Sequence, residues 1–447
     1  MKKPFFIILS FVVAISCSET LRPDSDNVGI CRQQEISAPD YHISLETALE
    51  SLDGFFDAMD GTKSTSDRIR IADTIRLGRQ PGTTVKSIES TDTSTILYVV
   101  NFEDDAGYAV LAADSRLPVD IYAVTEKGRA DESDFFSTPN GSDEFNPLNL
   151  IYTSSCNILT FTDSLGDSSP RTDTDPTIFI GDTLKDIWAG EWVITRWGPW
   201  TTSINYPAML MTQWGQGSPY KDMTGAQSAG CGVTAVAQMM TYNQYPPLLD
   251  GERIPYDILR EMKYVYTNSN YADDVAVLFK HIFIGCKAKS YGEDGTLVWP
   301  KNIVTYLENL GYKNVDIYKN PSKFNTSLVY NSIAKGYPAI ITAVNSDTDL
   351  GDIITGNGDA HTWVIDGYVK QARHGEKVGE KTGQSYGGTG ESREFVHCNW
   401  GWNGNYDGYF YPGIFNENKP APYRDQTKSS QGTGSYERFY RIITYNL

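Results

Sequence analysis

The sequence has few histidines, no closely spaced cysteine pair and no excess of basic residues. Five histidines and six cysteines occur in 447 residues, and the cysteines are scattered with no C-x-x-C pair and no metal-ligand spacing. The sequence therefore predicts no zinc site. Lysine and arginine total 38 against 56 acidic residues, which gives a formal net charge of −18. Such acidity argues against nucleic acid or an anionic membrane surface as a partner.

No apolar run is long enough to span a bilayer. The run at residues 4–16, PFFIILSFVVAIS, follows two lysines and leads directly to Cys17. A short apolar run after basic residues is typical of a secretory signal, and AISC at residues 14–17 resembles a loose bacterial lipobox. We therefore expect residues 1–17 to be a lipoprotein-type signal peptide with Cys17 lipidated, in a protein exported to the bacterial cell envelope or secreted. Ordinary signal-peptidase cleavage near Ala14–Ser18 is the alternative.

Residues 18–40 are polar and lack periodicity, which predicts a flexible tether. A small α+β domain is expected at 41–160, with no cluster of catalytic residue types. Apolar spacing from Leu45 to Phe56 is typical of an amphipathic helix. Three strands are predicted after it, the first two joined by the acidic turn 103–106: residues 95–102, 107–114 and 119–124.

The chain changes character after this domain. Residues 163–183 are rich in Asp, Ser, Thr and Pro, a composition that predicts an exposed linker open to proteolysis. We place the linker within 161–199 and a second domain at 200–447. A glycine-rich stretch at 383–390 lacks the strand, helix and lysine of a phosphate loop, so a surface loop is predicted there.

Cys231 stands at the start of a predicted helix in QSAGCGVTAVAQMMTYNQYP, residues 227–246. Apolar residues then recur at helical spacing and predict one buried face: Val233, Val236, Ala237 and Met240. The first turn of a helix favours a thiolate, and its amides suit a developing oxyanion. Gly230 and Gly232 would leave room for a peptide. We predict a nucleophile; a buried structural cysteine is the alternative.

A nucleophilic thiol needs a base, and the candidates are His361 and His397. His361 begins the alternating strand in GDAHTWVIDGY and lies 130 residues after Cys231. In papain-type enzymes the histidine follows the cysteine by about 130–150 residues. His397 lies inside the strand EFVHC and is the rival, with cross-strand packing as its structural explanation.

The segment NWGWNG, residues 399–404, offers partners for an imidazole. A histidine that must keep one tautomer needs a hydrogen-bond partner for its other ring nitrogen. The side-chain carbonyl of Asn399 suits that role, and the Trp400 indole can shield the bond from water. A turn rich in Gly and Asn between two strands is the alternative.

Three segments together resemble the streptopain family of bacterial papain-like cysteine peptidases: GCGVTAVAQMMTYNQYP, GDAHTWVIDGY and HCNWGWNGNYDGYF. LMTQWGQGSPY resembles that family's stretch before the nucleophile, and AGYAVLAADSRLPVDIYAV resembles its propeptide. The resemblance implies an α+β fold, with a papain-like catalytic domain at 200–447 and a small inhibitory propeptide domain at 41–160. It places the maturation site within 161–199.

The resemblance also implies roles for individual residues. Cys231 is the expected nucleophile, His361 the proton acceptor, and Asn399 and Trp400 the pair that supports the histidine. Trp363 and Trp402 are expected to line the substrate cleft. Papain relatives use an upstream glutamine as an oxyanion donor, and three glutamines compete for that role: Gln213, Gln216 and Gln227. We favour Gln216 with the Cys231 amide, because its WGQG setting resembles the family.

The expected function is a cysteine endopeptidase made as a zymogen, acting on protein or peptide substrates and inhibited by its own propeptide. No metal or organic cofactor is needed for this chemistry, and the only expected membrane contact is the N-terminal lipid anchor. Two alternatives stay open. One is a catalytically silent binding or inhibitory lipoprotein with the peptidase fold, and the other is a thiol acyltransferase.

Overall fold

Thirteen strands join in one antiparallel sheet that links most of the chain. The computed structural model describes residues 41–60, 70–79, 95–136, 146–164, 186–188, 191–292, 295–320, 324–344, 360–379, 381–415 and 439–447. The predicted signal peptide with Cys17, the tether and most of the predicted linker lie outside these ranges. Residues 41–447 belong to one compact unit.

The strands, in chain order, are β1 (Ile71–Gly78), β2 (Thr95–Phe102), β3 (Tyr108–Ala112), β4 (Ile121–Thr125), β5 (Asp186–Trp188), β6 (Glu191–Trp197), β7 (Thr201–Tyr206), β8 (Leu248–Leu249), β9 (Glu252–Arg253), β10 (Lys289–Ser290), β11 (Thr296–Leu297), β12 (Lys313–Asn320), β13 (Ala339–Val344), β14 (Ala360–Gly379), β15 (Ser385–Asn399), β16 (Gly408–Phe410) and β17 (Phe439–Asn446). The helices are α1 (Leu45–Asp60), α2 (Pro147–Ser164), α3 (Cys231–Asn243), α4 (Tyr256–Leu259), α5 (Ala272–Gly285), α6 (Pro300–Asn309) and α7 (Thr326–Ile333).

The N-terminal region, residues 41–164, has the predicted helix and strands. Its strands are adjacent in the order β1-β2-β3-β4. All residues of β2 and β3 are buried, because α1 packs against β3 and α2 against β2. The helix and the three strands predicted from the apolar pattern are confirmed.

The sheet continues from this region into the rest of the chain through β4 and β16. Gly408 pairs with Thr125, and Phe410 with Ala123. The two strands approach so closely that a Cβ on Gly408 would lie 2.3 Å from the carbonyl oxygen of Val124. Glycine is therefore required at this junction.

Beyond β16, the strand order is β15-β14-β13-β17-β12. The hairpin of β14 and β15 is the longest feature, and β6 and β7 also pair with β14. The prediction of a surface loop at 383–390 is wrong from Ser385 onward. There Gly388 and Gly390 pair with Glu376 and His374 in this hairpin. The pairing of β15 with β14 overrides the weak strand propensity of glycine.

The predicted linker contains regular structure at its ends. Helix α2 extends to Ser164, and β5 and β6 lie within 161–199. Strand β6 pairs with β14, so this segment packs on the C-terminal side. The α+β fold class is confirmed, whereas the domain boundaries stay predictions. Among the described helices, none combines the length and the hydropathy needed to cross a membrane.

Candidate active site

Helix α3 begins at Cys231, as predicted. Its N-cap residue is Gly230, which has no side chain to bond the first-turn amides. Unbonded amides and the helix dipole favour an anion at this end. Cys231 is partly exposed, whereas every residue from Gly232 to Thr241 is buried. The helix is therefore central to the fold, and the prediction of a single buried face was too narrow.

The glycines beside Cys231 serve packing and not substrate access. Gly230 has a φ of 92°, and a Cβ there would lie 2.8 Å from the Thr296 side chain. A Cβ on Gly232 would lie 2.8 Å from Cβ of Val298. These glycines let the 296–298 segment approach the start of α3. The expectation that they leave room for a peptide is wrong.

His361 lies at the start of β14 and is 1% exposed. Its Nε2 is 2.9 Å from the backbone carbonyl oxygen of Trp400. A carbonyl only accepts, so Nε2–H donates, and Nδ1 carries the ring's lone pair in the neutral form. Burial lowers the pKa of His361 to about 3, although the bond to Trp400 opposes the shift. The imidazole is therefore neutral at physiological pH in the full-length chain.

The imidazole packs among tryptophans. The Trp402 ring centroid is 4.3 Å from that of His361, with 28° between the ring planes. Trp402 is half-buried, so it can also face a ligand. Trp363 is 1% exposed and packs against Trp400 and Phe415. The expectation that Trp363 lines an open cleft is wrong, because β14 is buried on both faces here.

The side chain of Asn399 does not hold His361, contrary to our expectation. Its Oδ1 accepts from Nε2 of Gln238 at 2.9 Å and from the Gly401 amide at 3.3 Å. Its Nδ2 donates to the Thr212 carbonyl at 2.7 Å. The acceptor for His361 is instead the main-chain carbonyl of the next residue, Trp400. Its position depends on the path of the backbone after β15.

The three competing glutamines lie in different settings. Gln216 is partly buried, accepts from Ser228 Oγ at 3.1 Å, and its main chain accepts from the Ala229 amide at 2.9 Å. These bonds tie it to the loop that leads into Cys231. Gln213 is buried and its Oε1 accepts from Tyr264, and Gln227 is exposed. This arrangement favours Gln216 over Gln213 and Gln227 as the oxyanion donor.

The elements that carry Cys231 and His361 meet. Helix α3 packs against β14. Gly401, which follows the Trp400 carbonyl, lies so close to Thr234 that a Cβ on it would be 3.2 Å from Cγ2 of that residue. Thr234 is in the first turn of α3. The turn that holds His361 therefore packs on the turn that begins with Cys231.

His397 lies between two carboxylates. Its Nδ1 is 2.6 Å from Asp366, and its Nε2 is 3.4 Å from Glu126 of the N-terminal region. Burial by itself would lower the pKa of His397, but the two carboxylates outweigh it and raise the pKa well above the usual value. A protonated imidazole cannot take a proton, so this arrangement favours His361 as the base.

Asp407 was missed by the sequence analysis. Its Oδ1 accepts from the Trp400 amide at 2.8 Å, so it holds the same residue whose carbonyl binds His361. Burial raises the pKa of Asp407 to about 7, against opposing effects of the Trp400 amide and His397. An aspartate before glycine in a turn was the available signal, but it predicts only a turn.

The raised pKa of Asp407 predicts a pH dependence of stability. A carboxyl whose pKa is higher in the fold than in the unfolded chain, about 4, destabilises the fold as pH rises from 4 to 7. Asp407→Asn keeps the acceptor for Trp400 and removes the ionisation. Between pH 5 and pH 8, the free energy of unfolding of the wild type is expected to fall by about 2 to 3 kcal/mol more than that of the variant. Urea unfolding at both pH values, in a Cys231→Ala background, measures this difference. Equal pH dependence in both proteins would contradict the prediction.

The N-terminal region reaches the turn that holds His361. Lys127 Nζ donates to the Asn403 carbonyl at 3.0 Å and to the Tyr264 hydroxyl at 3.1 Å. The Glu126 amide donates to the Asp407 carbonyl at 3.0 Å. Both residues directly follow β4, so the sheet junction positions them. Sequence reasoning found no role for them, because their partners lie more than 130 residues away.

The other described cysteines are not arranged for chemistry. Cys156, Cys286 and Cys398 are thiols outside any disulfide. Burial raises the pKa of the Cys398 thiol well above its usual value and also raises that of Cys286. Within the described ranges, no three His, Cys, Asp or Glu side chains group in a way that could hold a metal ion.

In this α+β fold, a helix that begins at Cys231 packs on a strand whose second residue is His361. The arrangement is consistent with a papain-like peptidase domain. Residues 214–410 match the sequence model of the Peptidase C10 family. This match supports a cysteine peptidase of that family, the streptopain family, over residues 214–410. No curated protein matches the chain. The matched region excludes residues 41–164, so their role as a propeptide is a proposal.

Proposed function

We propose that this protein is an exported cysteine endopeptidase made as a zymogen, with Cys231 as nucleophile and His361 as proton acceptor. The observation that carries the proposal is the bond between His361 Nε2 and the Trp400 carbonyl, on a turn that packs against the start of α3. That bond fixes the tautomer in which Nδ1 can receive a proton. Papain-like catalysis needs this state of the ring.

The proposed reaction has two steps. His361 takes the proton from the Cys231 thiol, and the sulfur attacks the scissile carbonyl carbon. The Cys231 amide and Gln216 stabilise the resulting oxyanion. When the C–N bond breaks, His361 gives its proton to the leaving amine. Water then attacks the acyl-enzyme, with His361 accepting its proton, and releases the acid and the thiol.

The contacts of residues 41–164 support an inhibitory role. Lys127 and Glu126 bond to the turn that carries Trp400. His361 is almost fully buried in the full-length chain and held neutral, which disfavours the thiolate–imidazolium pair of an active cysteine peptidase. Removal of the N-terminal region would release these contacts. Trp402 is the proposed cleft residue, and it favours an apolar substrate side chain near the cut.

The first test is mass spectrometry of the purified precursor after incubation under reducing conditions. We expect loss of residues up to a cut within 161–199, and no loss in Cys231→Ala. An epoxide thiol reagent should label Cys231 alone among the cysteines. Burial raises the thiol pKa of the other described cysteines, Cys156, Cys286 and Cys398. Self-processing of the alanine variant at the wild-type rate would overturn the assignment of the nucleophile.

Two alternative functions have distinct outcomes. In an acyltransferase, an added amine would attack the acyl-enzyme and raise the turnover rate after the burst, and the acyl product would carry that amine. A silent binding lipoprotein would give neither processing nor epoxide labelling. The proposed location, a lipid anchor on Cys17 in the cell envelope, is tested by Cys17→Ala, which should move the protein from the membrane fraction to the soluble fraction.

A further inference from the structure

Gln238 is a buried polar side chain in an otherwise apolar part of α3. It is 0% exposed, and its neighbours on the helix include Val236, Met239 and Met240, all fully buried. Burying an amide is costly unless both of its ends are hydrogen-bonded. Both ends of Gln238 are bonded, and each bond goes to a different segment of the active site.

The two bonds connect three segments. Gln238 Oε1 accepts from the Trp214 amide at 3.0 Å. Gln238 Nε2 donates to Asn399 Oδ1 at 2.9 Å. Asn399 in turn donates to the Thr212 carbonyl at 2.7 Å. The amide pair of Gln238 and Asn399 therefore joins α3, the 212–214 segment that leads to Gln216, and the start of the turn that holds His361.

The position of Gln238 along the helix relates it to the nucleophile. Gln238 follows Cys231 by seven residues, which is two helical turns, so both project from the same side of α3. The residue next to its partner Asn399 is Trp400, whose carbonyl binds His361. A displacement of Asn399 relative to α3 would therefore change the distance between the cysteine and the histidine.

We propose that Gln238 is a positioning residue that holds the turn carrying the Trp400 carbonyl in register with the helix carrying Cys231. This inference rests on the proposed function, since it concerns the pairing of Cys231 with His361. Gln238 does not touch the reacting atoms. It acts through Asn399, which thereby positions the turn although its side chain does not hold His361.

The test compares two substitutions with a control on the same helix. Gln238→Met keeps the volume and loses both bonds, and Gln238→Asn keeps the amide but is one methylene too short to reach both partners. The control is Thr241→Val: Thr241 is fully buried on α3, and its hydroxyl has no hydrogen-bond partner among the described residues. Full-length proteins are allowed to process, and their folded fraction is measured by circular dichroism.

Two readouts separate positioning from simple loss of fold. Gln238→Met should lower kcat for a peptide substrate about 100-fold, with KM within threefold, because a displacement of about 1 Å can cost that much. Gln238→Asn should lose about 10-fold, and Thr241→Val nothing. The pH profile of Cys231 alkylation by iodoacetamide should also move toward that of an ordinary thiol, about 8.5, in both Gln238 variants.

Folded variants with a wild-type kcat and an unchanged alkylation profile would overturn the proposal, and so would a loss confined to KM. If Gln238→Met does not fold, Gln238→Asn decides the question. If the wild type hydrolyses no peptide, the proposed function fails by itself. The alkylation profile does not require turnover and still tests whether Gln238 sets the environment of the Cys231 thiol.

Discussion

Cys231→Ala and His361→Ala are each expected to lower kcat for peptide hydrolysis by about 10⁴-fold or more, and the double variant is expected to be no slower than either. Nucleophile and base act as one unit, so removing one partner leaves the other without a function. KM should change little, because neither side chain contributes much to binding the ground state. Neither variant is expected to process itself, so added wild-type protein first removes the N-terminal region and is then separated from the variant. Single-turnover and steady-state kinetics on the processed variants measure both quantities.

His281 provides a matched control for this prediction. It is a histidine on α5 whose ring lies 3.0 Å from Asp250 and 3.4 Å from Glu252, and His281→Ala should keep full activity. His397→Gln tests the rival base: it should keep measurable activity once its fold is verified by circular dichroism. An active His361→Ala together with an inactive, folded His397→Gln would reverse the assignment of the base.

Arg393→Met is expected to lower the free energy of unfolding by about 3 to 5 kcal/mol, the usual cost of leaving one partner of a buried ion pair. Arg393 is 3% exposed, and its Nη1 lies 2.5 Å from Asp120 of the N-terminal region. The same guanidinium donates to Gln371 at 2.8 Å and to Ser51 of α1. Its loss would leave the Asp120 carboxylate, whose side chain is 11% exposed, without its charge partner.

An exposed pair in the same protein is the control. Arg70 and Glu103 are 3.9 Å apart, with side chains 82% and 46% exposed, so Arg70→Met should cost less than 1 kcal/mol. Denaturant unfolding of both variants in the Cys231→Ala background gives the comparison. Adding Asp120→Leu to Arg393→Met should recover part of the stability, because it removes the unpaired charge. Equal effects of Arg393→Met and Arg70→Met would contradict the prediction.

The contacts of Arg393 with Asp120 and Ser51 also hold the N-terminal region, the proposed propeptide, against the rest of the chain. They join β15, which leads to Asn399, with α1 and the residue before β4. The same N-terminal region supplies Lys127 and Glu126 to the turn around Trp400. The junction of β4 with β16, the buried ion pair and these two residues therefore stabilise one docking arrangement, and Arg393→Met should accelerate self-processing if that docking is inhibitory.

Local sequence patterns predicted most elements of the site. The helix that begins at Cys231 and the strand that begins at Ala360 are both signalled by short-range periodicity and by glycines near their starts. The α+β class of residues 41–160 also followed from such patterns, whereas that of residues 200–447 followed from the family resemblance. Each of the features predicted from patterns depends on residues within about ten positions of one another, and that is the range over which sequence patterns carry information.

Contacts between distant residues were predicted less well. Trp363 was expected in the cleft and is buried, and Gly230 and Gly232 make room for the 296–298 segment. The glycine-rich stretch at 383–390 is predominantly strand because β14 lies beside it. In each case the local sequence allowed several outcomes, and packing against a remote segment selected one.

The sequence by itself determined the residue types and their order: a cysteine at a helix start, a histidine at a strand start, and the NWGWNG turn. Only the tertiary structure decided which atoms meet. The acceptor for His361 is the Trp400 carbonyl, and the Asn399 amide is directed to Gln238. Hydrogen bonds depend on distances of a few tenths of an ångström and on direction. Those are set by the packing of α3, β14 and β16, and the order of residues in a motif does not specify them.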